Sequence, residues 1–208
     1  SSVIWAKSFD GDLMSSKLMA IEAEIARQVA TALAQPYGVI FRADATQQPR
    51  DAPDDWQAYS CTLAYYAYRT TLDAKTHPAV RKCLEQAVAR FPNYATAWAL
   101  LSQTYVDEIR FRYPVAAGSS PASIDRALSA ARRAVELDPE NIRALQAEMF
   151  ALFFNGDVKA ALKVGDLALG INPNDTELVG EFGYRLALSG NWSRGCGRGC
   201  ATDRPANR

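Results

Sequence analysis

The stretch AVELDPENIRAL, residues 134–145, returns 34 positions later as ALGINPNDTELV, residues 168–179. A looser copy, AVARFPNYATAW, lies upstream at residues 87–98. Each copy runs from a small alanine through an apolar pair to a proline, then two polar turn residues and a new apolar run. Repetition at a fixed period constrains the fold more than any other feature here. A unit that cannot bury its own apolar face must stack on copies of itself. The proline ends a helix, because it lacks an N–H and disfavours helical backbone in the residue before it. Glu140-Asn141 and Asn174-Asp175 then suit a turn and cap the next helix. The pattern predicts antiparallel helical hairpins, each restarted by the same signal.

Composition supports a globular chain and removes several function classes. Of the 208 residues 49% are hydrophobic, enough for a sizeable core, and Lys+Arg and Asp+Glu balance at 23 each. No dense basic stripe appears, which argues against nucleic acid as a partner. No run approaches the length of a membrane span, and the first residues lack a signal-peptide pattern. The four cysteines, Cys61, Cys83, Cys196 and Cys200, form no disulfide framework and no zinc-type pairing. A reduced, cytoplasmic protein without metal or cofactor is expected.

Catalytic chemistry finds little to work with. His77 is the single histidine. It precedes a proline, where a turn or helix start is expected, and reads as an ordinary surface or loop residue. Asp107 and Glu108 are acidic neighbours, yet no nucleophile or metal ligand pairs with them at a meaningful spacing. GCGRGCATDR has the glycines of a phosphate loop but neither the preceding strand nor the following helix. No catalytic, metal or cofactor residue is assigned.

The 34-residue period, 173 minus 139 for Pro173 and Pro139, is that of the tetratricopeptide repeat (TPR), and the chain resembles a TPR array over roughly residues 57–193. With the proline as repeat position 32, position 27 is Ala87, Ala134 and Ala168, and position 20 is Val80, Ala127 and Ala161. Position 4 holds Trp98, Leu145 and Val179. Gly156 and Gly190 share position 15, Gly183 stands at position 8 and Trp192 at position 17. Small residues at positions 8, 20 and 27 let two helices approach closely. The resemblance implies an all-α, TPR-like superhelix of antiparallel hairpins over residues 56–193. Pro92 and Pro139 are 47 apart, so the middle unit carries about 13 extra residues by the TPR period, placed around DEIRFRYPVAAGSSPAS. Tyr59, Tyr65, Tyr66 and Tyr68 fall at helical spacing and read as core rather than as a ligand box.

The front of the chain reads differently. VIWAKSFDGDL suggests a short strand and turn, and Leu18, Ile21, Ile25, Val29 and Leu33 share one helical face. Residues 1–42 thus read as a strand and helix left from a preceding α/β domain, with a proline-bearing linker over 43–55. Trp5, Phe9-Asp10 and Glu24-Ile25-Ala26 resemble the end of an α/β domain in bacterial multidomain regulators. There, TPR arrays follow a class III adenylate cyclase domain or a winged-helix DNA-binding domain. The resemblance implies a non-catalytic regulatory module in the carboxy-terminal part of an adenylate-cyclase-type signalling protein. A sensor segment of a winged-helix transcription regulator is the alternative. The lone strand at residues 2–9 is expected to pair with a second copy, giving a homodimer.

In TPR hairpins the first helix of each unit lines the concave face. The resemblance places Gln103, Arg143, Gln146, Phe150, Phe153 and Tyr184 there, as a partly apolar groove for a peptide segment of a partner or of the protein's own other domains. The Lys and Asn residues of the clamp that holds terminal carboxylates are missing at the matching positions. The tail, residues 194–208, is rich in glycine and is expected to be irregular.

Overall fold

The computed structural model describes residues 54–114 and 122–199, and every regular element among them is a helix. In order these are α1 (Asp54–Thr71), α2 (His77–Arg90), α3 (Ala95–Arg110), α4 (Ser123–Leu137), α5 (Ile142–Phe154), α6 (Val158–Ile171), α7 (Thr176–Leu188) and α8 (Trp192–Gly199). Each helix packs on the next, and the odd-numbered helices also pack on one another in sequence. The result is four stacked hairpins with a TPR-like layout.

The punctuation does what the sequence pattern requires. Asn141 caps α5 by accepting from the backbone N–H of Arg143 and Ala144, and Asp175 caps α7 by accepting from Leu178 N–H. Each such cap contributes about 1 kcal/mol. At the turn inside the last two hairpins, Gly156 and Gly190 take φ of +93° and +86°, where a side chain would be strained. Leu72 and Arg112 accept the same left-handed conformation in the first two hairpins. Gly156 is the fifteenth residue from Ile142, whereas Arg112 is the eighteenth from Ala95. The insertion of the middle unit therefore lengthens α3 before entering the loop.

Small residues set the helix spacing. Ala127, Ala134, Ala161 and Ala168, at positions 20 and 27, are fully buried. A Cβ on Gly165 of α6 would lie 2.3 Å from the Phe182 ring, so that glycine makes room for a core aromatic of α7. Leu84, Leu100, Leu145 and Leu178 are fully buried, each contributing roughly 1.5–3 kcal/mol. Tyr65, Tyr66 and Tyr68 are buried in the same core, as the helical spacing predicted, whereas Tyr59 is only half-buried.

Three expectations are corrected. Cys61 and Cys83 form a disulfide, because the α1–α2 hairpin folds residues 22 apart in sequence to a Cα–Cα distance of 5.4 Å. The expected reduced chain does not hold for this pair. His77 does begin a helix but is 1% exposed, its ring between Tyr68 and Tyr113 and its Nε2 3.0 Å from the Thr104 carbonyl. A short polar ring between aromatics is easily buried once one nitrogen meets a carbonyl. The tail expected to be irregular from 194 is helical to Gly199. There Gly195 is a contact residue, since a Cβ would lie 2.7 Å from the Gly183 carbonyl oxygen of α7. The amino-terminal strand, its helix, the strand-mediated dimer and residues 200–208 lie outside the described residues. α1 begins at Asp54, just inside the stretch read as linker.

Candidate functional site

Charge, more than apolar surface, marks the face shared by α1, α3, α5 and α7. Arg69, in the last turn of α1, stands 3.7 Å from Asp107 of α3 and 3.9 and 3.6 Å from Glu177 and Glu181 of α7. Glu181 also meets Arg110 at 3.7 Å and Arg185 at 3.3 Å. Arg143 of α5 pairs with Glu177 at 2.8 Å and with Asp175. The lattice therefore joins the first hairpin to the last, although the two are not neighbours in the stack. Arg69, Arg110, Arg143 and Arg185 balance Asp107, Asp175, Glu177 and Glu181, four against four.

Burial tunes these groups. Desolvation raises the Asp107 carboxyl above the ordinary carboxylate value, against the opposing pull of Arg69 and the Tyr68 hydroxyl that donates to it at 3.0 Å. Burial works against the Arg143 cation too, but Glu177 and Asp175 outweigh it and leave the group raised. Arg185 ends lowered, chiefly by its own burial, with Glu181 opposing. Its guanidinium lies over the rings of Phe150 at 4.8 Å, Phe153 at 5.2 Å, Tyr184 at 5.3 Å and Phe154 at 5.6 Å. Cation–π contact replaces part of the water that the cation gives up.

The six residues expected at a groove separate under this geometry. Gln103, Arg143, Gln146 and Phe150 are all buried. Gln103 accepts from the Tyr65 hydroxyl at 2.6 Å, Gln146 accepts from Arg143, and Phe150 lies beneath Arg185. Phe153 is half-buried and Tyr184 is 53% exposed. The surface presented is thus more polar than a row of aromatics suggests. Asp107 and Glu108, the acidic neighbours, are both buried. Glu108 joins three helices by meeting Arg81 of α2 at 2.7 Å and Arg126 of α4 at 2.8 Å. Among the described residues no group of three His, Cys, Asp or Glu side chains is placed to hold a metal ion, and no helix is long and apolar enough to cross a membrane.

Sequence reasoning passed over Arg69, Glu181 and Arg185. For Arg185 a signal existed: it fills the repeat position that Thr104 and Ala151 hold in the preceding units. An arginine in a small-residue position marks a departure from pure packing.

No family model matches the chain, and no curated protein matches it in sequence. Among solved structures the chain is similar to TTC0263, a thermophilic TPR protein in Thermus thermophilus. The TM-score is 0.56 at 17% identity, over 86% of this chain and 83% of that one. MamA MSR-1 is matched over 90% of this chain and 95% of its own, with a TM-score of 0.45 and 17% identity. The likeness to TTC0263 shows a TPR-like fold.

Proposed function

We propose that this chain is a non-catalytic protein–protein interaction module that receives a partner segment along α1, α3, α5 and α7. The ion-pair lattice on that face supports the reading. Ion pairs that lose solvent on burial contribute little net stability, because desolvation offsets their attraction. Charges gathered in such number therefore suit exchange with a partner more than they suit holding the fold. The expected ligand is an extended or helical segment carrying both signs of charge, with an apolar side chain seated by Tyr184 and Phe153. Arg143 takes its carboxylates, while Gln103, Gln146 and Phe150 support the face from below.

The amino-terminal resemblance extends the proposal to the setting, the carboxy-terminal part of an adenylate-cyclase-type signalling protein in the cytoplasm. The partner segment then comes from another protein or from the parent's own domains. A winged-helix regulator would carry the same module. Affinity is tested on an array of charge-patterned peptides. Tyr184→Ala is expected to weaken the best binders about tenfold, or 1.4 kcal/mol, with the melting temperature unchanged. Binders of equal affinity for both chains would overturn the proposed face.

A further inference from the structure

The first hairpin carries a feature that partner binding does not use. Between α1 and α2 lies a cavity of about 440 Å³, with both sulfur-bearing residues of the Cys61–Cys83 disulfide in its wall. Ser60 and Gln86 supply polar groups, Phe91 an apolar wall, and among the described residues Arg90 is the formally charged one that lines it. We propose that this cavity is a thiol-exchange site, which admits a low-molecular-weight thiol bearing carboxylates and holds it as a mixed disulfide on Cys83.

Access chooses the sulfur. Cys61 is only 6% exposed, whereas Cys83 is half-buried, and the more accessible sulfur is attacked faster. The incoming thiolate, its proton lost to solvent, forms a bond to the Cys83 sulfur as the Cys61–Cys83 bond breaks. The electron pair leaves on the Cys61 sulfur, which then takes a proton from solvent. No net oxidation occurs, so the thiol is the only co-reactant. Arg90 favours an anion at the mouth of the cavity, both the attacking thiolate and any carboxylate it carries. The volume falls within the range of small-molecule sites. Cys61 stays beside the mixed disulfide and can attack it in reverse, expelling the thiol. Hairpin closure then follows the concentration of free thiol.

The oxidised full-length chain is exposed to glutathione, to neutral mercaptoethanol and to cationic cysteamine at matched thiolate concentration. Intact mass and peptide mapping follow the adduct. The expected result is an adduct on Cys83 that forms several-fold faster with glutathione than with cysteamine, a preference that Arg90→Gln abolishes. Arg90 is exposed, and the ratio of rates within one variant cancels any general loosening. An adduct on Cys61, equal rates for the three thiols, or a disulfide untouched until the chain is unfolded would each overturn the proposal.

Discussion

The first and last hairpins are built on one plan and held by different means. In the first, helices of 18 and 14 residues are joined by a disulfide and by a core of tyrosines around His77. In the last, helices of 13 and 8 residues meet through Gly183 and Gly195, with Phe182 as the buried anchor. Exposed large apolar side chains gather at that end too, namely Leu167, Ile171, Tyr184, Leu188 and Trp192. Stability in a repeat array is close to a sum of unit and neighbour terms, so the two ends are expected to open separately. The bridge from Arg69 to Glu177 and Glu181 works against that separation, because it couples the first hairpin to the last.

The largest test of this difference is Phe182→Ala. The ring is fully buried and packs against Gly165, and its loss should cost about 3–5 kcal/mol. Amide exchange is expected to accelerate in α6, α7 and α8 while α1 and α2 keep their protection. Equal loss at both ends would mean that the lattice makes the array a single cooperative unit.

Next comes the covalent tie. Replacing Cys61 and Cys83 by serine releases a loop closed over a sequence separation of 22, which should cost about 3 kcal/mol. The loss should appear as faster exchange in α1 and α2 only. Combined with Phe182→Ala, the two costs should add if the ends are independent. A measured coupling, removed by Arg69→Ala, would assign the connection to the ion pairs.

The two ends also differ in how far they were legible. Hairpin order, both side-chain caps and the small positions follow from the period, because caps and breakers act within a few residues of themselves. The disulfide was not legible, since nothing in its spacing says that two helices will lay Cys61 against Cys83. The glycines of the tail suggested irregular chain, when at Gly195 the missing side chain serves a close helix contact. At the candidate site, the choice of Arg143 and Tyr184 came from repeat position alone. Repeat position places a residue on a face but cannot say what covers it. Phe150 is covered by Arg185 through a contact that is long-range in sequence, and Gln146 is held by Arg143 one helical turn away.

The smallest expected effect is a pH dependence belonging to the first hairpin. Burial raises the Tyr66 phenol from 10.0 to about 12. A raised phenol means that the folded chain keeps a proton the unfolded chain has already lost. Stability is then fully present below pH 10.0 and falls as pH rises through that window. At pH 11 the loss from Tyr66 is about 1.4 kcal/mol, since one pKa unit corresponds to 1.36 kcal/mol. Tyr68, Tyr94 and Tyr105 are raised by burial as well, so the wild-type slope is steeper than one group gives. Tyr66→Phe removes one titrating group and should flatten the alkaline slope by that amount. Any constant change from losing the hydroxyl shifts the whole curve and leaves its slope alone. Denaturant midpoints at pH 9, 10 and 11 for both chains measure it. An identical slope in the variant would show that Tyr66 does not stay protonated in the folded hairpin, and that its hydroxyl is open to water through the face it shares with Arg143.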